Sequence, residues 1–151
     1  MASTWQSIIS AVKTRMEGIT VVGGYETNLG SNVILNPTKS IEPDEVPALL
    51  ITDKAPEKFA EELSGGNNVW KFDLPIKLEA IVSNGTNTAS DLRKCASDIL
   101  KAIGVDERWS GLAIETTDYE MSLLDLEQEK QIAGGITITI HIHYRADKYS
   151  I

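Results

Sequence analysis

A chain of 151 residues, 42% of them hydrophobic and 24% charged, has the length and composition of one ordered domain that can bury a core without covalent staples. Its formal charge of −8, from 22 acidic against 14 basic residues, excludes the basic footprint that nucleic-acid phosphates or anionic lipid require. The single cysteine, Cys95, excludes an internal disulfide; no apolar run approaches the ~20 residues of a membrane span, and the first residues lack signal-peptide features, so a reducing, cytoplasmic setting without a membrane is expected.

In chain order, Trp5, Ile8, Ile9, Val12 and Met16 recur at helical spacing, which predicts an amphipathic helix. Ser3-Thr-Trp-Gln6 matches a capping box and Gly18 is placed to end the helix. Residues 19–26 read as a strand, with Gly23-Gly24 as a bulge or bend. Residues 28–45, rich in Asn, Gly, Ser and Pro, read as loop, with Val33-Ile34-Leu35 as an alternative short strand. Residues 46–52 form a compact apolar strand, with Pro47 tolerable only near its start. Residues 53–68 are charged and end in Ser-Gly-Gly-Asn-Asn, which is either a long loop or a hairpin tip.

Residues 69–82 alternate cleanly. Trp70, Phe72, Leu74, Ile76, Leu78, Ala80 and Val82 share one face, and Lys71, Asp73, Pro75, Lys77 and Glu79 the other. Such a strand spans roughly 46 Å, longer than a small domain needs, so part of it is expected to project as an arm or hairpin. Pro75 lacks an N–H, which calls for an edge or a break in pairing on its side. A second helix is predicted over residues 89–103, with Thr88 as N-cap and Leu92, Cys95, Ala96, Ile99 and Ile103 as its buried stripe. Strands over 112–117 and 121–126 follow, with a turn at 127–130. Residues 136–144 alternate again: Ile136, Ile138, Ile140, Ile142 and Tyr144 on one face, Thr137, Thr139, His141 and His143 on the other. No βαβ rhythm appears. The simplest packing is α+β, an antiparallel or mixed sheet with two helices on one face.

The candidate chemistry is thin. His141-x-His143 places two imidazoles on one strand face, a spacing that suits a metal, but a third ligand would have to be Asp or Glu; the plainer reading is a solvated or interfacial face. Cys95 lies on an apolar helical stripe, as a structural thiol does. The glycine pairs lack phosphate-loop spacing, and the acidic residues 118–129 lack the order of a calcium loop. No catalytic residue, cofactor or metal site is assigned, and the pattern argues against an enzyme. Trp5 is expected to anchor the first helix. Trp70 is expected to pack at the base of the arm; the functional alternative for Trp70 and Phe72, as exposed aromatics on an arm, is a partner contact.

The order of elements resembles that of the lambda-like tail-terminator (tail-completion) proteins of long-tailed bacteriophages. The resemblance lies in an N-terminal amphipathic helix leading into Gly-Ile-Thr-Val-Val, a Pro-Ala-Leu-Leu-Ile strand after a loop, the long alternating strand, the mid-chain helix opening Thr-Asn-Thr-Ala-Ser-Asp-Leu, and the final Ile-Thr-Ile-x-Ile-x-Tyr strand. It is one of pattern and length over nearly the whole chain. It implies a structural virion protein at the neck end of the tail, assembled in the host cytoplasm. Such a protein forms a hexameric ring that caps the tube, stops its polymerisation, meets the tail tube protein on one side and the head-completion protein on the other, and lets DNA pass without specific binding. Inter-subunit contacts would then involve Lys54, Glu57, Trp70 and Phe72 from the arm and His141 and His143 from the strand face. The alternatives are another neck or head-tail connector component, or a small metal- or ligand-binding α+β protein using His141 and His143.

Overall fold

The two alternating stretches of the sequence form the two longest strands and lie side by side. The computed structural model describes residues 3–39, 46–83, 88–128 and 131–151. In chain order these form α1 (Thr4–Glu17), a 3-10 turn (Leu29–Ser31), β1 (Val33–Leu35), β2 (Ala48–Asp53), β3 (Glu57–Ser64), β4 (Asn67–Ser83), α2 (Thr88–Gly104), β5 (Glu115–Gln128) and β6 (Gln131–Asp147). The six strands make one sheet in the order β1-β2-β4-β6-β5, with β3 also paired to β4. β1 runs parallel to β2 and the other pairings are antiparallel, so the fold is α+β with a mixed sheet.

β4 and β6 are in register from Val69 opposite Asp147 to Ser83 opposite Ala133. Their even-numbered residues form the sheet side of the core: Phe72, Leu74, Ile76, Leu78, Ala80 and Val82 against Ile136, Ile138, Ile140, Ile142 and Tyr144, all buried. Both helices cover this one face. α1 supplies Ile8, Ile9, Val12 and Met16, and α2 supplies Leu92, Cys95, Ala96, Ile99 and Ile103. At ~0.8 kcal/mol per buried methylene this cluster is the dominant favourable term in the fold. Among the described residues the other face of β4 and β6 carries Lys71, Asp73, Lys77, Glu79, Thr137, Thr139, His141 and His143 and no helix, while Ala48 and Leu50 of β2 are buried beside it.

Local chemistry explains the boundaries. The Ser3 hydroxyl accepts from the Gln6 N–H at 3.1 Å and starts α1, while Gln6 itself turns forward to Ser10 instead of completing the box. Pro75 sits where β2, ending with Asp53 opposite Ile76, hands over to β3, starting with Glu57 opposite Asp73. The Pro75 carbonyl accepts from Lys54 N–H at 3.1 Å on that side, so its missing N–H faces the gap between the two strands, where no partner is needed. Gly65 and Gly66 have φ of +61° and +86°, the left-handed pair of a two-residue hairpin turn between β3 and β4.

Several expectations change. Residues 19–26 are a series of turns, not a strand: Gly23 and Tyr25 N–H groups bond back to Thr20, and Val22 is 99% exposed. Val33–Leu35 does form a short strand, and residues 53–68 become the β3–β4 hairpin. The two strands expected over 112–126 are one, β5, bulged between Thr117 and Tyr119. Thr88, expected as the N-cap, lies within α2. The tip expected at 127–130 falls partly outside the described residues.

Candidate assembly surfaces

Four surfaces carry the side chains that could meet a partner. On the uncovered face, His141 Nδ1 lies 2.9 Å from Asp73 Oδ1, and His143 Nδ1 lies 3.2 Å from Glu115 Oε1. Asp73 also lies 3.7 Å from His143 Nε2, and the Phe59 ring tilts over His143 at 4.9 Å. The register places these groups together: Asp73 is opposite His143, and Glu115 opposite the same His143 from β5. The arrangement is a half-exposed hydrogen-bonded row. Among the described residues no group of three or more His, Cys, Asp or Glu is placed to hold a metal ion.

The second surface is the β3–β4 hairpin. Trp70 is half-buried on the helix face, edge-on to Tyr149 at 4.9 Å, with Lys58 Nζ 4.3 Å from its ring centroid. Lys58 also pairs with Glu61 at 3.1 Å; that hydrogen bond holds the Glu61 carboxyl below the usual carboxylate range. On the other side of the hairpin Glu62 bridges Lys71 at 3.3 Å and Arg145 at 2.7 Å. Phe72 is only 4% exposed and stacks on Tyr144 at 5.2 Å, so it belongs to the core and is not available to a neighbour as the sequence reading expected. Burial of Tyr144 pushes its phenol up to about 12. Lys54 and Glu57 are exposed, at the crossing from β2 to β3. Phe59 and Leu63 on β3 are 52% and 76% exposed.

The third surface is β5. Tyr119, Met121 and Leu123 lie opposite Ile140, Ile138 and Ile136, so they point to the helix side of the sheet, yet they are 61%, 42% and 63% exposed. α2 lies over β4 and β6 and leaves them uncovered.

The fourth is the loop between α2 and β5, which borders a shallow cleft of about 370 Å³ lined by Arg108, Gly111, Leu112, Ala113, Ile114 and Arg145. Trp109 in this loop is fully buried with φ of +54°, a conformation rare for a bulky residue. Three contacts hold it. Its Nε1–H donates to Thr116 Oγ1 at 2.8 Å, the Arg15 guanidinium stacks 4.0 Å from its ring, and Asp106 accepts from Arg108 and Ser110 N–H groups at 2.9 and 2.7 Å. Those two bonds hold the Asp106 carboxyl below the usual range. Arg15 also donates to the Asp106 carbonyl at 2.7 Å, tying α1 to the end of α2.

Asp98, on α2, is a residue the sequence reading missed. It is 1% exposed, and its carboxylate takes the Glu26 and Thr27 N–H groups and the Thr27 hydroxyl at 3.0, 2.8 and 2.6 Å. The signal available was an acidic residue beside the buried helical stripe. Comparison with protein-family models and with curated proteins finds no match.

Proposed function

We propose that the chain is a structural subunit that closes into a ring, a phage tail-terminator-like protein that caps a tail tube and offers its other face to the neck. The observation that carries this is the placement of exposed apolar side chains on edge strands at opposite sides of one sheet. Phe59 and Leu63 lie on β3, and Tyr119, Met121 and Leu123 lie on β5. Edge strands normally protect themselves against pairing, and a chain that exposes apolar residues on two of them is suited to neighbours on both sides. Two different patches on one subunit make a heterologous contact, which closes into a ring when the rotation permits.

The resemblance in element order points to the same role, and a net charge of −8 per subunit suits a lumen that DNA slides through, because like charge repels phosphate. In this reading the polar row of Asp73, His141, His143 and Glu115 is a second contact face of the ring, toward the tube or the neck.

Negative-stain electron microscopy with light scattering over a concentration series tests it. Rings with a central hole are expected, and a chain that remains monomeric at every concentration refutes ring closure by the subunit itself.

A further inference from the structure

The pairings of the sheet say more about how one subunit would meet the next. Among the described residues β5 pairs only with β6, and β1 only with β2, so these strands end the sheet on opposite sides. Following the registers across gives two complete rows on the helix side. One runs Leu123, Ile136, Ala80, Leu49, Val33; the other runs Met121, Ile138, Leu78, Ile51, Leu35. Each row is apolar from edge to edge. It is buried in the middle, exposed at Leu123 and Met121, and half-buried at Val33 and Leu35. A row that ends apolar at both edges matches the start of an identical row.

We propose that β5 of one subunit pairs with β1 of a second copy of this chain, so that the sheet continues from subunit to subunit and the neighbour covers Met121 and Leu123. This rests on the ring reading above and takes β1, on the same side of the sheet as β3, as the edge that meets β5.

Strand direction favours it. β1 and β2 run together, and each following step from β2 to β4 to β6 to β5 reverses, so β5 runs opposite to β1. Rotation about a ring axis that runs along the strands preserves direction, and β5 therefore meets its neighbour's β1 antiparallel, with Met121 and Leu123 level with Leu35 and Val33 when the sheet carries no stagger across the junction.

Charge selects among the edges. The sequence of β5 is acidic at 115, 118, 120, 125 and 127 and has no basic residue. A symmetric β5-to-β5 pairing brings two acidic strands together with no basic residue in either, which is unfavourable. β3 carries Glu57, Glu61 and Glu62 against one Lys58 and is no better. β1 is Val-Ile-Leu, without charge.

The backbone pairing itself is short, because β1 has three residues and spans about 10 Å, so the contact depends on the apolar row ends beside it, Met121 and Leu123 against Leu35 and Val33.

The test pairs charge insertion with cross-linking. Met121→Asp and Leu123→Asp alter residues already exposed in the subunit, so far-UV circular dichroism should be unchanged while the concentration needed for assembly rises roughly 30-fold or more. Ile34 and Ser122 occupy one row on the uncovered face, so Ile34→Cys and Ser122→Cys proteins, each treated with a thiol oxidant alone and also after mixing in reduced form, should give covalent dimers only in the mixture; Cys95, in the core, does not compete. Wild-type rings that survive either aspartate, or Ser122→Cys protein that cross-links to itself, overturn the β5–β1 junction and leave the ring standing. A wild-type chain that never assembles removes the ring, and the junction with it.

Discussion

Replacing Asp98 tests whether a buried carboxylate fastens the turns after α1 onto α2. In Asp98→Asn only one acceptor oxygen remains. Set in the place of Oδ2, it keeps the two Thr27 bonds at 2.8 and 2.6 Å but turns its NH₂ toward the Glu26 N–H, 3.0 Å from the old Oδ1. One charge-assisted bond is lost and two donors face each other, a cost of about 1.5–3 kcal/mol. Asp98→Ala loses all three bonds and strands donors beside the core, about 3–5 kcal/mol. Against a domain stability of ~5–15 kcal/mol, the asparagine variant should fold and the alanine variant should approach the limit. Equilibrium urea unfolding followed by tryptophan fluorescence reads both. Thr27→Val completes a double-mutant cycle with Asp98→Ala, which removes the bond the two groups share, and the cycle should be non-additive by ~0.5 kcal/mol or more. An Asp98→Asn midpoint equal to wild type, or a strictly additive cycle, would refute the latch.

Gly30→Ala should destabilise by about 1–3 kcal/mol in the same assay, because its added carbon would fall 2.5 Å from the Glu17 carbonyl, and backbone must move; a neutral result would mean that the α1 end and the 3-10 turn are not in close contact. Cys95, whose thiol is pushed by burial and then by Asp98 and Asp91 up to about 11, should react with a disulfide reagent at pH 8 only as fast as the chain opens; its contribution to stability is whole below the ordinary value of 9.0 and is lost as pH rises from there toward 11, and prompt labelling of native protein would contradict this. Asp106, held below its ordinary 3.8 by the Ser110 and Arg108 N–H groups, stabilises the loop above that value and loses its effect as pH falls through the lowered one. Asp106→Asn should therefore flatten the fall of Tm below about pH 4, and an unchanged acid profile would show that the loop does not depend on the charge.

What could be read from residues alone follows from how local the signal is. β4 and β6 were legible because they alternate over many residues and one face is buried throughout, so burial and periodicity agree. β5 was not legible as one strand: its helix-side residues Tyr119, Met121 and Leu123 are exposed, its bulge breaks the period after Thr117, and its carboxylates mimic a solvated run. Residues 19–26 misled in the opposite direction. Ile-Thr-Val-Val has the β-branched composition of a strand, yet only Ile19 finds the core, and Thr20 closes turns around it. The histidine pair was visible, but its partners were not, because Asp73 is 68 residues from His141 and Glu115 is 28 from His143, and only the sheet register joins them. Asp98 was hidden for the same reason: its three donors lie more than 70 positions upstream.

The handover at Pro75 has a consequence for how this chain tolerates change. Upstream of it β4 answers to β3, and downstream to β2, with no shared ladder on that side. The glycine turn at 65–66 and the strand leading to it can therefore lengthen, shorten or carry a foreign peptide while the downstream half of β4 keeps its place beside β2. Related subunits could vary that finger to suit different mates without renegotiating the body that bears it, and an epitope inserted between Gly65 and Gly66 would be a natural handle for seeing where the subunit sits in an assembly.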